Sequence, residues 1–241
     1  MKLKHTSLYI TNLLLLLLFF GNLQAQEQEI PPPSVPDSVQ YKQKFGLRAG
    51  VDLSKLLRTA LQDDYSGLEI VGDYRVYKNF YAAAEIGNEK ITFAEGLITA
   101  TSTGSYIKVG GDYNAYENWL DMQNSIFVGL RYGFATFSQD LEEYTIYTTT
   151  SYFEPDVRTP EDGETTGLTA NWIELIAGIK VEVLNNLFLS ANVQLKRRIG
   201  QSTPPNFDNL SIPGFNRTYD DSSFGVGFGY TISYLLPLYK K

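Results

Sequence analysis

From Phe45 to the C-terminus the chain alternates apolar and polar residues with a period of two, and it does so in eight separate runs. Successive side chains on a strand point to opposite faces, so each run reads as a β-strand with one apolar and one polar face. In the first, Phe45, Leu47, Ala49, Val51 and Leu53 alternate with Gly46, Arg48, Gly50 and Asp52. The others fall at 68–76, 80–87, 106–113, 126–134, 173–183, 187–196 and 224–236.

Sorted by parity, one face of these strands carries no charge. The other holds six bases (Arg48, Arg75, Lys108, Arg131, Lys180 and Lys196) and seven acids (Asp52, Glu69, Asp73, Glu85, Asp112, Glu174 and Glu182). A soluble barrel would turn its apolar face inward, whereas a membrane barrel turns it to lipid and keeps the charges inside. Two features favour the membrane arrangement. Half of the 20 glycines lie on the charged face, where a narrow interior needs small residues beside long ones. The uncharged face ends in aromatics (Phe45, Tyr74, Phe80, Tyr113, Tyr132, Phe134, Phe224 and Tyr234), as interfacial girdles do. The expected fold is all-β: an eight-stranded antiparallel up-and-down transmembrane β-barrel over 45–241. Eight strands enclose little more than their own side chains, so the thirteen charges are expected to form a self-neutralising interior network.

The N-terminus supplies an address. Lys2, Lys4 and His5 precede a leucine-dense run at 8–20, and Leu23-Gln24-Ala25 ends in a small residue. This is the pattern of a cleaved secretory signal peptide over 1–25, and the run is too short for a spanning helix. The proline-rich stretch 26–44 then reads as a flexible periplasmic linker. Cleavage leaves 18 bases against 27 acids, a net charge of −9, and removes the only histidine. With no cysteine there is no disulfide, thiol nucleophile or lipid-anchored cysteine, and the acidic balance argues against nucleic acid.

Eight strands with both ends in the periplasm place the segments 54–65, 93–104, 138–167 and 200–221 outside the cell. The turns at the other end are tight. Tyr77-Lys78-Asn79 and Leu184-Asn185-Asn186 are three-residue turns with Asn79 and Asn186 in the left-handed position. Extending the second turn pairs residues whose numbers sum to 370, which sets Glu174 opposite Lys196 as a cross-strand ion pair. The connection 114–124, with Trp119, is expected to carry a short helical turn at the membrane surface.

The mature chain has no histidine for a Ser-His or Asp-His arrangement, so no catalytic residue is assigned. Only carboxylate chemistry remains, with Asp73 and Glu85 on adjacent strands as the candidate pair. Gly225-Val226-Gly227-Phe228-Gly229 lacks the spacing and the following helix of a dinucleotide site and reads as strand glycine. The acid-rich segment 138–167 could bind divalent cations, but it has no recurring ligand spacing and reads first as a solvated loop, so no metal or cofactor is assigned. The stretch 206–220 is too apolar and aromatic for a plain loop; it either folds over the barrel mouth or meets a partner.

Four segments carry a resemblance: 112–119, Gly129-Leu130-Arg131-Tyr132-Gly133, 212–219 and the final glycine-aromatic strand. Through them the chain resembles a family of small outer-membrane β-barrels of Gram-negative bacteria known as a domain of unknown function, and in architecture it is similar to the OmpA-like barrels. The resemblance implies the fold and the outer-membrane address and brings no activity. The expected function is therefore a non-enzymatic outer-membrane barrel with a charge-plugged interior, in a structural or surface-interaction role. The alternatives are a narrow channel or small-ligand carrier, and a carboxylate-dependent envelope hydrolase. The expected partners are outer-membrane lipid, the barrel-assembly machinery, and extracellular or lipopolysaccharide contacts through loops 138–167 and 200–221.

Overall fold

The computed structural model describes residues 44–95, 97–116, 123–146, 156–161, 163–205, 207–219 and 221–240. The expected signal peptide, the linker up to residue 43, Trp119 and the stretch 147–155 lie outside the described residues. In chain order the elements are β1 (Lys44–Asp52), α1 (Leu53–Leu61), β2 (Tyr65–Tyr77), β3 (Phe80–Glu95), β4 (Ile98–Asn114), β5 (Ser125–Ile146), β6 (Asp156–Arg158), β7 (Glu164–Leu184), β8 (Leu187–Gln201), β9 (Ser211–Ile212), β10 (Asn216–Arg217) and β11 (Phe224–Lys240).

Eight of these strands close a ring. β1, β2, β3, β4, β5, β7, β8 and β11 pair antiparallel in that order, and β11 returns to β1 through a ladder from Lys44↔Lys240 to Asp52↔Thr231. The fold is the eight-stranded antiparallel transmembrane barrel, and among the described residues no helix is long and apolar enough to cross a membrane. Crossing falls to strands, which satisfy their backbone groups only by closing into a ring. The alternation then fixes the faces. Leu47, Ile70, Ile86, Val109, Leu130, Leu175, Leu189 and Phe228 lie on an exposed apolar exterior, while Arg48, Glu69, Lys108, Arg131 and Glu174 are buried inside.

The wall is uneven. β1 has nine residues and β5 has 22, so the barrel is low at β1 and tall across β5 and β7. Much of what reads as outer loop is strand that has outgrown the apolar belt. β3 and β4 pair through to Glu95↔Ile98, absorbing most of 93–104. β5 and β7 likewise take in both ends of 138–167. Thr99, Thr101 and Thr103 favour extended backbone, and beyond lipid both faces of a hairpin can be polar, so no hydrophobic alternation marks its continuation.

Three local corrections follow from the backbone. Phe45 is turned inward, because a register shift between Phe45 and Gly46 reverses its face; the Arg75 guanidinium lies 5.3 Å from its ring. Leu53 and the segment 54–65 are not strand end and loop but contain helix α1, capped by Asp52, whose carboxylate accepts from Ser54 N–H at 2.7 Å. In the first tight turn Lys78 takes the positive φ of 30°, not Asn79, and its carbonyl accepts from Arg75 Nε at 2.6 Å. The second turn has Asn186 at φ 65°.

Inside the loop end of the barrel, aromatic rings lie on glycines. A Cβ on Gly133 would run into the Trp172 ring, and one on Gly87 into Tyr106. Replacing Gly133 with Val is therefore expected to cost at least about 1–3 kcal/mol by overpacking. The check is the loss of the compact, heat-modifiable band of the refolded protein and a lower urea midpoint; an unchanged midpoint would contradict this packing.

Candidate functional site

All thirteen charged residues singled out by parity face the barrel interior, and the structure sorts them into three groups. Near the turn end, Asp73 holds two cations: Arg48 Nη2 at 2.7 Å and Lys180 Nζ at 2.6 Å. The Arg48 guanidinium also stacks against Tyr81 and Phe188, at 5.1 and 4.9 Å from the ring centres. A second group runs up the interior as an alternating chain. Asp112 meets Arg131 at 2.7 Å, Arg131 meets Glu85 at 3.2 Å, and Glu85 meets Lys108 at 2.7 Å. Lys108, 1% exposed, also reaches Glu69 at 3.1 Å and Glu174 at 3.9 Å. Glu174 lies in register with Lys196, 3.6 Å away, and accepts from Trp172 Nε1 at 2.7 Å.

The third group serves the backbone. Asp52 caps α1, Arg75 holds the first tight turn, and Glu182 accepts from Gln123 N–H and Asn186 N–H at 3.3 and 2.8 Å. Asp73 and Glu85 line one small interior cavity but are not register partners. Val71, not Asp73, is the register partner of Glu85, and each of the two carboxylates is held by its own two cations. The gap at the turn end, between Arg48, Asp73, Asp112, Arg131 and Lys180, is a cavity of about 50 Å³, room for a few waters at most.

Above the ion pairs the interior changes character. Tyr106, Ala135, Phe137, Leu168, Ala170 and Trp172 line an apolar chamber that is filled by Ile212 and Phe215 from the last long connection. Trp172 and Phe215 meet edge to face, 5.9 Å between centres. Of the two readings left open for 206–220, the structure has its centre folded into the mouth. Pro213 and Gly214 make a tight turn closed by Phe215 N–H on the Ile212 carbonyl at 3.0 Å. Gly214 has φ 79°, and a Cβ there would come within 2.6 Å of the Tyr106 ring, so only glycine fits. The barrel wall holds this turn by its backbone. Ser102 and Gln139 donate to the Ser211 carbonyl, both at 3.1 Å, and Lys196 donates to the Gly214 carbonyl at 2.7 Å.

Glu89 joins the cap to the wall. Its buried carboxylate accepts from Gly214 N–H at 2.6 Å and Tyr65 Oη at 2.7 Å, and pairs with Lys55 of α1. Parity could have found it, since Glu89 faces the same way as Glu85; the expected strand ended two residues too soon. Lys55 had no such signal, because its segment read as loop. Glu89 lies beyond the apolar belt, where the outward neighbours are Asn88 and Lys90. Burial pushes its pKa up, but Lys55, the Gly214 N–H and Tyr65 outweigh that and hold it below the ordinary glutamate value.

Among the described residues no group of three or more His, Cys, Asp or Glu is placed to hold a metal ion. A family model described as a domain of unknown function, DUF6048, matches residues 6–241. No curated protein matches the chain. Solved structures similar to it include neisserial surface protein A, at 11% identity, covering 80% of this chain and 97% of that one with a TM-score of 0.43. The attachment invasion locus protein Ail of Yersinia pestis is similar at 9% identity, covering 80% and 97%, with a TM-score of 0.38. CarO2 of Acinetobacter baumannii is similar at 10% identity, covering 81% and 99%, with a TM-score of 0.36.

Two outcomes are expected of these interior contacts. Lys108→Met leaves three carboxylates short of a cation and should cost about 3–5 kcal/mol in urea unfolding of the refolded barrel; adding Glu69→Gln should return part of the loss. The Glu89 contribution has the opposite dependence on acid from that of a raised group. With its folded pKa depressed, it is fully present above the ordinary glutamate range and is lost as pH falls through the lowered value. In a Trp119→Phe background, where Trp172 is the only tryptophan, emission should stay constant down to that range and shift red below it. Glu89→Gln should show the red-shifted emission already at neutral pH.

Proposed function

The chain belongs to the DUF6048 family, and we propose that it serves as a non-enzymatic outer-membrane barrel whose interior is closed and structural and whose long-connection end faces outward to do the interacting. The observation that carries this reading is the Ile212–Phe215 turn seated in the barrel mouth above a run of ion pairs. An eight-stranded ring has little lumen to begin with. Here cross-strand ion pairs occupy its lower part and an apolar cap its upper part, which supports a plug in place of a pore.

Both chain ends of the barrel and its two tight turns lie at one end, by the pairing Lys44↔Lys240 and the turns at Lys78 and Asn186. In bacterial barrels short turns face the periplasm and long connections the outside. That orientation exposes the tall β5–β7 hairpin, on whose outer part Asp140, Glu161 and Glu164 cluster. It makes this hairpin the contact surface for extracellular or lipopolysaccharide partners, with the 200–221 segment contributing less because its centre is buried. Export by a cleaved signal peptide and insertion by the barrel-assembly machinery belong to the same reading. The hydrolase alternative is disfavoured by Asp73 and Glu85, each neutralised by its own pair of cations.

The channel alternative is tested directly. The refolded protein in planar bilayers is expected to give no sustained conductance, and steady currents from natively folded protein would transfer the assignment to a channel. In intact cells, chymotrypsin is expected to cut within 138–167, where Leu141 and Tyr144 offer sites, and to leave the bond after the buried Phe215 whole.

A further inference from the structure

β1 is too short for its neighbours. Its ladder to β2 ends at Val51↔Ile70 and its ladder to β11 at Asp52↔Thr231. Both neighbours run on toward the loop end, β2 through Tyr65–Glu69 and β11 through Phe224–Tyr230, without a β1 partner. At about 3.3 Å per residue the missing five residues on the β2 side leave a notch roughly 17 Å tall. With one strand absent between them, the bare edges stand roughly 10 Å apart, about the diameter of an α-helix.

Helix α1 stands in that notch. Its Thr59 hydroxyl accepts from Gly67 N–H at 2.8 Å, with its own proton shared between the Lys55 and Gly67 carbonyls at 2.9 and 3.1 Å, so a side chain takes the place of the missing ladder partner on β2. On the opposite edge Asn216 Nδ2 donates to the Val226 carbonyl at 3.4 Å. The helix is sided. Leu57 and Leu61 are 57% and 81% exposed on the outside, continuous with the outward Val226 at 75% and Phe228 at 63%. Lys55 and Arg58 lie on the inner side, where a cleft of about 290 Å³ runs from the apolar wall at Val226 and Phe228 to Lys196 in the interior. Four of the cleft's lining side chains are basic and two acidic.

Its cations are not equally engaged. Lys55 and Lys108 pair with Glu89 and Glu85, and Lys196 with Glu174. Arg58 has no carboxylate partner among the described residues; it donates to Gln62 at 3.0 Å and lies flat on Tyr65, 3.7 Å from the ring centre. Outward-facing bases flank the notch, Lys90 on β3 and Arg197 on β8, and acids stand above it at Asp63 and Asp64, where α1 turns into β2. Apolar groups below and unpaired positive charge at the level where the exterior turns polar match one kind of molecule, an amphiphile with an anionic head.

We propose that the notch between β11 and β2, shuttered by α1, is a lateral binding site for a membrane lipid whose phosphate headgroup carries a net negative charge. The lipid's chains lie against Leu57, Val226 and Phe228, and its headgroup enters the cleft to pair with Arg58. A guanidinium presents paired N–H donors that match phosphate oxygens, and the aromatic ring beneath Arg58 holds it ready. The site rests on the membrane reading of the barrel, and it adds a specific ligand to what would otherwise be a nonspecific lipid wall.

The chain has no native cysteine, so a Leu57→Cys variant labelled with bimane reports on the notch, and a Leu130→Cys variant reports on the far wall. Each is reconstituted into vesicles containing brominated phosphatidylglycerol or brominated phosphatidylcholine at equal mole fraction. At position 57 the anionic lipid is expected to be favoured roughly fivefold, the scale of one charge-assisted pair. Arg58→Gln should bring that ratio to about one, Arg58→Lys should retain only the part that charge alone supplies, and added inorganic phosphate should not displace the lipid. Position 130 should be quenched equally by both. Equal quenching at 57 in the parent protein would overturn the proposal, whether or not Arg58→Gln folds. Displacement by inorganic phosphate would overturn it in favour of an anion site. Absence of quenching at 130 would instead sink the membrane reading on which it rests.

Discussion

An ammonium group enclosed by a ring of strands must be met by carboxylates from those same strands, and Lys108 imposes that condition on this protein. Its Nζ draws Glu85 from β3, Glu69 from β2 and Glu174 from β7, so one side chain on β4 ties three other staves of the barrel. Removing a buried charge from water is repaid only when the geometry around it is complete. The strands therefore have one acceptable register, since a slip of a single residue would turn every charge toward lipid. The ion pairs act less as sources of net stability than as a code for alignment. Glycine and aromatic residues complete the interior above them, with Gly133 under Trp172 and Gly87 under Tyr106.

Period-two parity made the ring, its two faces and the thirteen inward charges legible, because lipid outside and a filled interior inside impose opposite chemistry on alternate residues. It failed where one of those environments ends. Beyond the apolar belt the outward residues of β3 become Asn88 and Lys90 and the contrast disappears, so Glu89 went unnoticed and the extended hairpins read as loops. Phe45 failed for another reason, a bulge that shifts parity by one. Helix α1 was hidden by its brevity, although Asp52-Leu53-Ser54 carried a cap signal and Leu53, Leu57 and Leu61 repeat at helical spacing. The cap at Ile212–Phe215 was half legible: its apolar content marked it as unlike a loop, but a sequence does not say which pocket receives a turn.

The interior thus has two chemistries stacked along one axis, ionic below and apolar above, and Glu89 with Lys55 joins them. This division suits a chain that meets lipid over only part of its height. Ion pairs there need no solvent to complete them, while the apolar cap gains its stability from exclusion of the water it faces. The cap's attachment through Glu89 and Lys196 fastens it to β3 and β8, on opposite sides of the short β1 wall.

The low β1 wall has a further consequence for how the chain reaches this state. β1 and β11 are the first and last strands, so the seam from Lys44↔Lys240 to Asp52↔Thr231 joins residues separated by nearly the whole barrel sequence. Contacts of such separation are the slowest to form, and a partly synthesised chain without β11 keeps a bare edge on β1 and another on β8. Because β1 is only nine residues long, the final zipping event is short. Thr59 and Asn216 then tend the remaining edges from within the chain's own local neighbourhood. Shortening one stave shortens the ladder at the seam and leaves the lid of the notch to a nine-residue helix, too short to persist alone and dependent on the barrel edge that Thr59 meets.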